Sequence, residues 1–145
     1  MPQPDQVVAQ TGDTLPELRF GPITRRMLAL YAGASGDHNP IHIDLDFARR
    51  SNMPDVFAHG MLSFGALTQV LTQWAGAGSL REFGARFLSM TQVGDIIVCR
   101  GTVIERLAIK GEQLVRVAVT ANAQDGRDTL SGEAILAINL SSQGE

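Results

Sequence analysis

A chain of 145 residues has the size of one domain and is long enough to enclose a core of its own. Twelve basic residues stand against fifteen acidic ones, a net charge of −3, and the arginines are dispersed, which excludes nucleic acid and an anionic membrane as principal partners. The one cysteine, Cys99, cannot form an internal disulfide and lies in an apolar run, so it reads as packing in a reducing, cytoplasmic setting.

Residues Met1 to Asp13 lack the basic and apolar regions of a secretory signal and read as a frayed, Pro- and Gln-rich lead-in. The domain proper is expected over residues 11–140, after a flexible stretch 1–10 and before a tail 141–145. Leu15 to Phe20 is a short candidate strand closed by Gly21-Pro22. Thr24 then reads as an N-cap for a helix from Arg25 to Ala34, with Met27, Leu28, Tyr31 and Ala34 at helical spacing and Gly33 and Gly36 to stop it.

The stretch Ser35 to His42 follows. Gly36 frees the backbone ahead of Asp37, while Pro40 fixes its own φ and pushes Asn39 out of the α region, so the segment is expected to be non-helical and stiff. A second short helix fits Asp44 to Arg50, with Asp44 and Asp46 at its positive end and Arg49 and Arg50 at its negative end. The pairs Arg25-Arg26 and Arg49-Arg50 read as solvated helix faces. Ser51 to Ala58 reads as a loop lying over the mouth of a site.

From Val56 to Leu80 no residue carries a formal charge if His59 is neutral. Ser63, Thr68, Gln69, Thr72, Gln73 and four glycines make this poor membrane material, and the better account is a helix from about Gly60 to Ala75, apolar around most of its circumference and therefore surrounded. Everything after it reads as strand: Phe83 to Ser89, Ile96 to Ala108, Gln113 to Ala123 and Thr129 to Leu140, with reversals at Gly94-Asp95, Gly111 and Asp125-Gly126. Val115, Val117, Val119, Ala121 and Ala123 share one face of the third. Helices followed by antiparallel strands imply an α+β domain in which a strongly curved sheet wraps one long helix. Its open edge is most simply protected by pairing with a second copy.

Chemistry concentrates in two places. Asp37 and His42, five positions apart, can share one water as a proton-transfer pair, because imidazole titrates near neutrality beside a carboxylate. Gly60, at a helix start, offers an amide that a carbonyl can approach closely. His59 reads as packing or capping, and Asn39 as a brace of its own loop; both stand with Met61 as candidate substrate contacts. Met53, Phe57 and Phe64 are core residues that could instead line a pocket with Met61. The three histidines, His38, His42 and His59, show no metal-ligand spacing, so no metal is expected.

Asp37-x-Asn39-Pro40-x-His42, preceded by Tyr31 to Gly36 and followed by Ala58-His59-Gly60-Met61 with strands behind, resembles the MaoC-like dehydratases, the (R)-specific enoyl-CoA hydratases of the hot-dog fold. The resemblance runs from about Thr11 to Leu140. It implies a single hot-dog domain, a homodimer or heterodimer, an acyl thioester of CoA or acyl carrier protein bound near the interface, and no cofactor. Asp37 and His42 take the positions of the family's catalytic pair, the Gly60 amide that of its oxyanion donor, and Thr68 that of a helical hydroxyl ordering the site. The rivals are a non-catalytic, tunnel-shaping hot-dog partner and a hot-dog thioesterase. The thioesterase would need a carboxylate on the long helix, and no Asp or Glu lies between Val56 and Leu80.

Overall fold

The computed structural model describes residues 9–138. β1 (Leu18–Phe20) leads into α1 (Arg25–Ser35), a single 3₁₀ turn (Pro40–His42), α2 (Leu45–Arg50) and the long α3 (Gly60–Ala75). Four strands follow: β2 (Leu80–Phe87), β3 (Ile97–Ile109), β4 (Glu112–Ala123) and β5 (Asp128–Ala137). They form one antiparallel sheet in the order β1-β3-β4-β5-β2. Register shifts between Leu80 and Glu82, Val103 and Glu105, and Ala121 and Asn122 act as bulges that bend it. This is the expected α+β hot-dog arrangement, a long helix laid along the inner face of a bent sheet.

The core explains the arrangement. Alternation along β4 points Val115, Val117, Val119, Ala121 and Ala123 inward, and all are buried. They meet Leu67, Val70 and Leu71 of α3 with Val103 and Leu136. The helix is clasped on one side rather than sheathed, since Gly65, Gln69 and Gln73 remain exposed. Gly65, Thr68, Gln69, Thr72 and Gln73 let the outer face meet water. Cys99 is fully buried in the same core, and burial pushes its thiol up to about 12, as a packing role requires.

A second, smaller cluster positions the site. Ile23, Leu28, Ala48, Val56 and Ala58 pack together, fastening α1 and α2 to the segment that enters α3. Thr24 caps α1 through the Met27 N–H, and Asp44 caps α2 through the Phe47 N–H. Gly33 lies within α1; only Gly36, at φ 77°, ends it.

Several expectations change. Asp37 to His42 is not wholly non-helical: Pro40 takes the first position of the 3₁₀ turn, where its missing N–H does no harm, and Asn39 caps it. Ala9 is fully buried, and the Gly12 N–H donates to Val103 O at 2.8 Å, so residues 9–13 run along β3 rather than fraying. Most of the lead-in, the tail and Leu140 lie outside the described residues. Segment 51–58 is no cover: Val56 and Ala58 are core, and Phe57 pairs with Gln92. Arg25 stays on its solvated face and there binds Asp55 through two bonds of 2.8 and 2.7 Å.

Candidate active site

The turn from α1 is held by its own short side chains. The Asp37 N–H donates to Ser35 Oγ at 3.1 Å, the Asn39 N–H to Asp37 Oδ1 at 3.2 Å, and the Ile41 N–H to Asn39 Oδ1 at 3.1 Å. These bonds fix the aspartate's rotamer and leave Oδ2 free to face outward. His42 follows on the 3₁₀ turn, only 9% exposed. Its Nδ1 lies 2.8 Å from Phe57 O. A carbonyl only accepts, so Nδ1 carries the proton and neutral His42 presents a bare Nε2. That atom lies 4.0 Å from Asp37 Oδ2, too far for a direct hydrogen bond and suited to one shared water.

His59 arrives from the other side, seventeen positions later, and is 2% exposed. Its ring stacks on His42 with centroids 3.9 Å apart and meets the edge of Tyr31 at 4.8 Å. Its Nε2 donates to the backbone carbonyl of Asp37 at 3.2 Å. Burial holds the imidazole below the usual histidine range, and the bond to Asp37 only partly offsets this. Burial and the Asp37 charge together raise the Tyr31 phenol.

Gly60 opens α3, so its N–H has no partner within the helix, and a side chain there would strike Phe87: a Cβ would stand 2.6 Å from Cε1. The helix dipole adds positive character at this point. Asp37, His59, Gly60 and Ser63 line a cleft of about 580 Å³ whose walls are otherwise mostly apolar, including Phe57, Met61, Phe87, Leu88, Met90 and Leu130. A donor at a helix start, a carboxylate–imidazole pair and an apolar slot in one place suit polar addition to an activated acyl chain.

The fold therefore brings Asp37, His59, Gly60 and Met61 to the cleft, and sets His42 against two of them, stacked on His59 and 4.0 Å from Asp37. It does not bring Asn39 or Thr68 to the cleft: the Asn39 oxygen caps its own turn, and the Thr68 hydroxyl donates to Phe64 O at 3.0 Å. Of the pocket candidates, Phe57 and Met61 are wall, whereas Met53 joins the smaller cluster and Phe64 stacks on Phe83 at 4.3 Å. Ser63 was not foreseen. Its signal is a hydroxyl early in a mostly apolar helix, close after the start that carries His59 and Gly60.

Sequence spacing also hid a cluster: Asp37, His42 and His59 place ligand-type atoms within 4.8 Å of one another. The two imidazoles are stacked 3.9 Å apart with their planes only 27° from parallel. One ion cannot then lie in both ring planes at the roughly 2.1 Å of a metal–imidazole bond, so the group is poorly shaped for a metal.

The sequence profile of the family described as MaoC like domain matches residues 7–126. The (R)-specific enoyl-CoA hydratase of Rhodospirillum rubrum is 30% identical over 118 residues, covering 80% of each protein. The fatty acid synthase subunit beta of Aspergillus oryzae is 34% identical over 109 residues, 73% of this chain, but the chain spans only 5% of that protein's length. The R-hydratase PhaJ1 of Pseudomonas aeruginosa superposes with a TM-score of 0.79 at 27% identity, covering 89% of this chain and 81% of that one.

Proposed function

The chain belongs to the MaoC-like dehydratase domain family, and from that premise we propose that it adds water to trans-2-enoyl thioesters and removes it from (R)-3-hydroxyacyl thioesters, with CoA as carrier and no cofactor. The observation that carries this reading is the 4.0 Å gap between Asp37 Oδ2 and His42 Nε2, beside a cleft that also receives the first residue of α3. The named activity of the R. rubrum relative supports the substrate class.

In the hydration direction the water bridging the pair loses a proton to one member as its oxygen bonds to C3. The alkene electrons move toward C1, and the thioester oxygen gains negative charge. The Gly60 N–H meets that charge, a contact stronger in the transition state than in the substrate. The enolate collapses, C2 takes a proton from the pair, and the elements of water end on C2 and C3 with the pair's protonation restored. Either member can take the proton from the shared water, so neither is singled out as the base. We also propose that the protein works as a homodimer, with a heterodimer of two hot-dog subunits and an acyl carrier protein thioester as the variants of this reading.

A panel of trans-2-enoyl-CoA chain lengths, followed by loss of the conjugated absorbance, tests the activity. Asp37→Asn and His42→Ala should each lower kcat by about 10²- to 10⁴-fold, the usual worth of a positioned acid or base. Undiminished turnover by either variant would remove the dyad from the mechanism. A wild type inert toward every length would favour a partner that binds acyl chains without transforming them.

A further inference from the structure

We infer that His59 is a positioning residue, holding Asp37 and His42 in register through a buried relay that runs from the Ser63 hydroxyl to His59 and on to the Asp37 backbone carbonyl. The inference rests on the hydratase reading for its catalytic consequence, and on geometry alone for the relay.

His59 touches both halves of the pair at once. Its ring face lies on His42, and its Nε2 holds the carbonyl of Asp37. Its own backbone is the N-cap of α3, directly before Gly60, although its side chain makes no capping bond. Proton pair and oxyanion donor are thereby tied to one residue. Tyr31 closes the far side of the ring, so the imidazole cannot turn away without leaving two aromatic contacts.

The protonation pattern follows from the partners. Because Nε2 must donate to a carbonyl, a neutral His59 has a bare, accepting Nδ1. That atom is buried and has no partner among the described residues, and the same is true of Ser63 Oγ. A buried acceptor and a buried donor left open are each costly. His59 is the N-cap of α3 and Ser63 stands in its first turns, and the two atoms are not bonded to each other directly, so one bound water between them is what would satisfy both. The two open groups answer each other's need, and the bridge would lock the tautomer that holds Asp37.

Two substitutions separate positioning from packing. His59→Phe keeps a ring between Tyr31 and His42 but loses the donor; His59→Gln loses the ring but can return an amide N–H toward Asp37 O. We expect His59→Phe to lower kcat roughly 10²-fold with little change in KM, as a slightly misplaced catalytic group does, and His59→Gln to recover about a tenth or more of wild-type kcat. If Phe retains more activity than Gln in variants that melt normally, the ring is only packing and the inference fails. A second readout needs no turnover: ¹⁵N spectra of histidine-labelled wild type should show His59 protonated at Nε2 and bare at Nδ1, with the Nδ1 resonance moved by Ser63→Ala. A proton on Nδ1, or no response to Ser63→Ala, overturns the relay whether or not the wild type hydrates enoyl thioesters.

Discussion

Gly60 is glycine for reasons of approach rather than backbone freedom. Its φ is not positive, yet an added Cβ would fall 2.6 Å from Phe87 Cε1, on the wall of the cleft. Phe87 is 56% exposed and can swing aside, and alanine is the better helix former, so Gly60→Ala should melt within a few degrees of wild type. Its kcat/KM should still fall by about 10²-fold, comparable to losing an oxyanion donor, because the methyl takes the carbonyl's place. His59 makes a pH prediction of opposite character. Its folded value lies below the ordinary 6.5, so its contribution to stability is intact above that value and is lost as the pH falls from there through the depressed one, because the unfolded chain takes up the proton first. Thermal melts should therefore weaken as the pH drops below 6.5, and His59→Gln should flatten that part of the curve. Asp55 and Glu112, held down by Arg25 and Arg81, enter only in more acid solution. Asp37 and His42 are legible in the sequence because five residues and a proline keep them together. The partnership of His59 with both is not, since nothing in a spacing of seventeen says that two rings will stack.

At the scale of elements, local chemistry marks the ends well where a cap or turn residue decides them. The bounds of α3 are legible from the uncharged run and the closing Gly76, and the β4–β5 reversal from Asp125-Gly126, with Gly126 at φ 86° and Asp125 Oδ1 accepting from the Arg127 N–H. Strand starts are less legible, because pairing decides them: β2 begins at Leu80, before any run of strand formers, since Leu80 lies opposite Leu136. The same pairing explains Gly132, which the sequence presents as an interruption in a good strand. A Cβ there would run into the backbone of Gly84 and Ala85, so β5 approaches β2 only because the side chain is missing. Gly132→Val should cost at least about 1–3 kcal/mol in a urea titration, the range of an overpacked site. It should also lower turnover, because β2 leads into Phe87 and Leu88 of the cleft wall. A variant as stable as wild type would mean that β2 can shift without penalty.

For the whole molecule the unpaired edge of β2 sets the problem. Among the described residues β2 bonds to β5 on one side only, and apolar residues at and after its end are open: Phe87 is 56% exposed, Leu88 52% and Met90 41%. Met61, across the same cleft, is 53% exposed. An acyl chain resting between such walls would leave much of itself in water, where each buried methylene would otherwise contribute about 0.8 kcal/mol. The proposed second copy resolves both difficulties together, covering the strand edge and closing the slot. Leu88→Asp places a charge on the wall while leaving the core of α3 and the sheet untouched, since Leu88 is absent from both larger clusters. Light scattering on the wild type should give twice the chain mass, and Leu88→Asp should shift it toward one chain with the far-ultraviolet spectrum preserved. KM for long enoyl chains should then rise more than KM for short ones, because the lost wall is the one that long chains need. A wild type that is monomeric and fully active at every dilution would show that the cleft is complete in one chain.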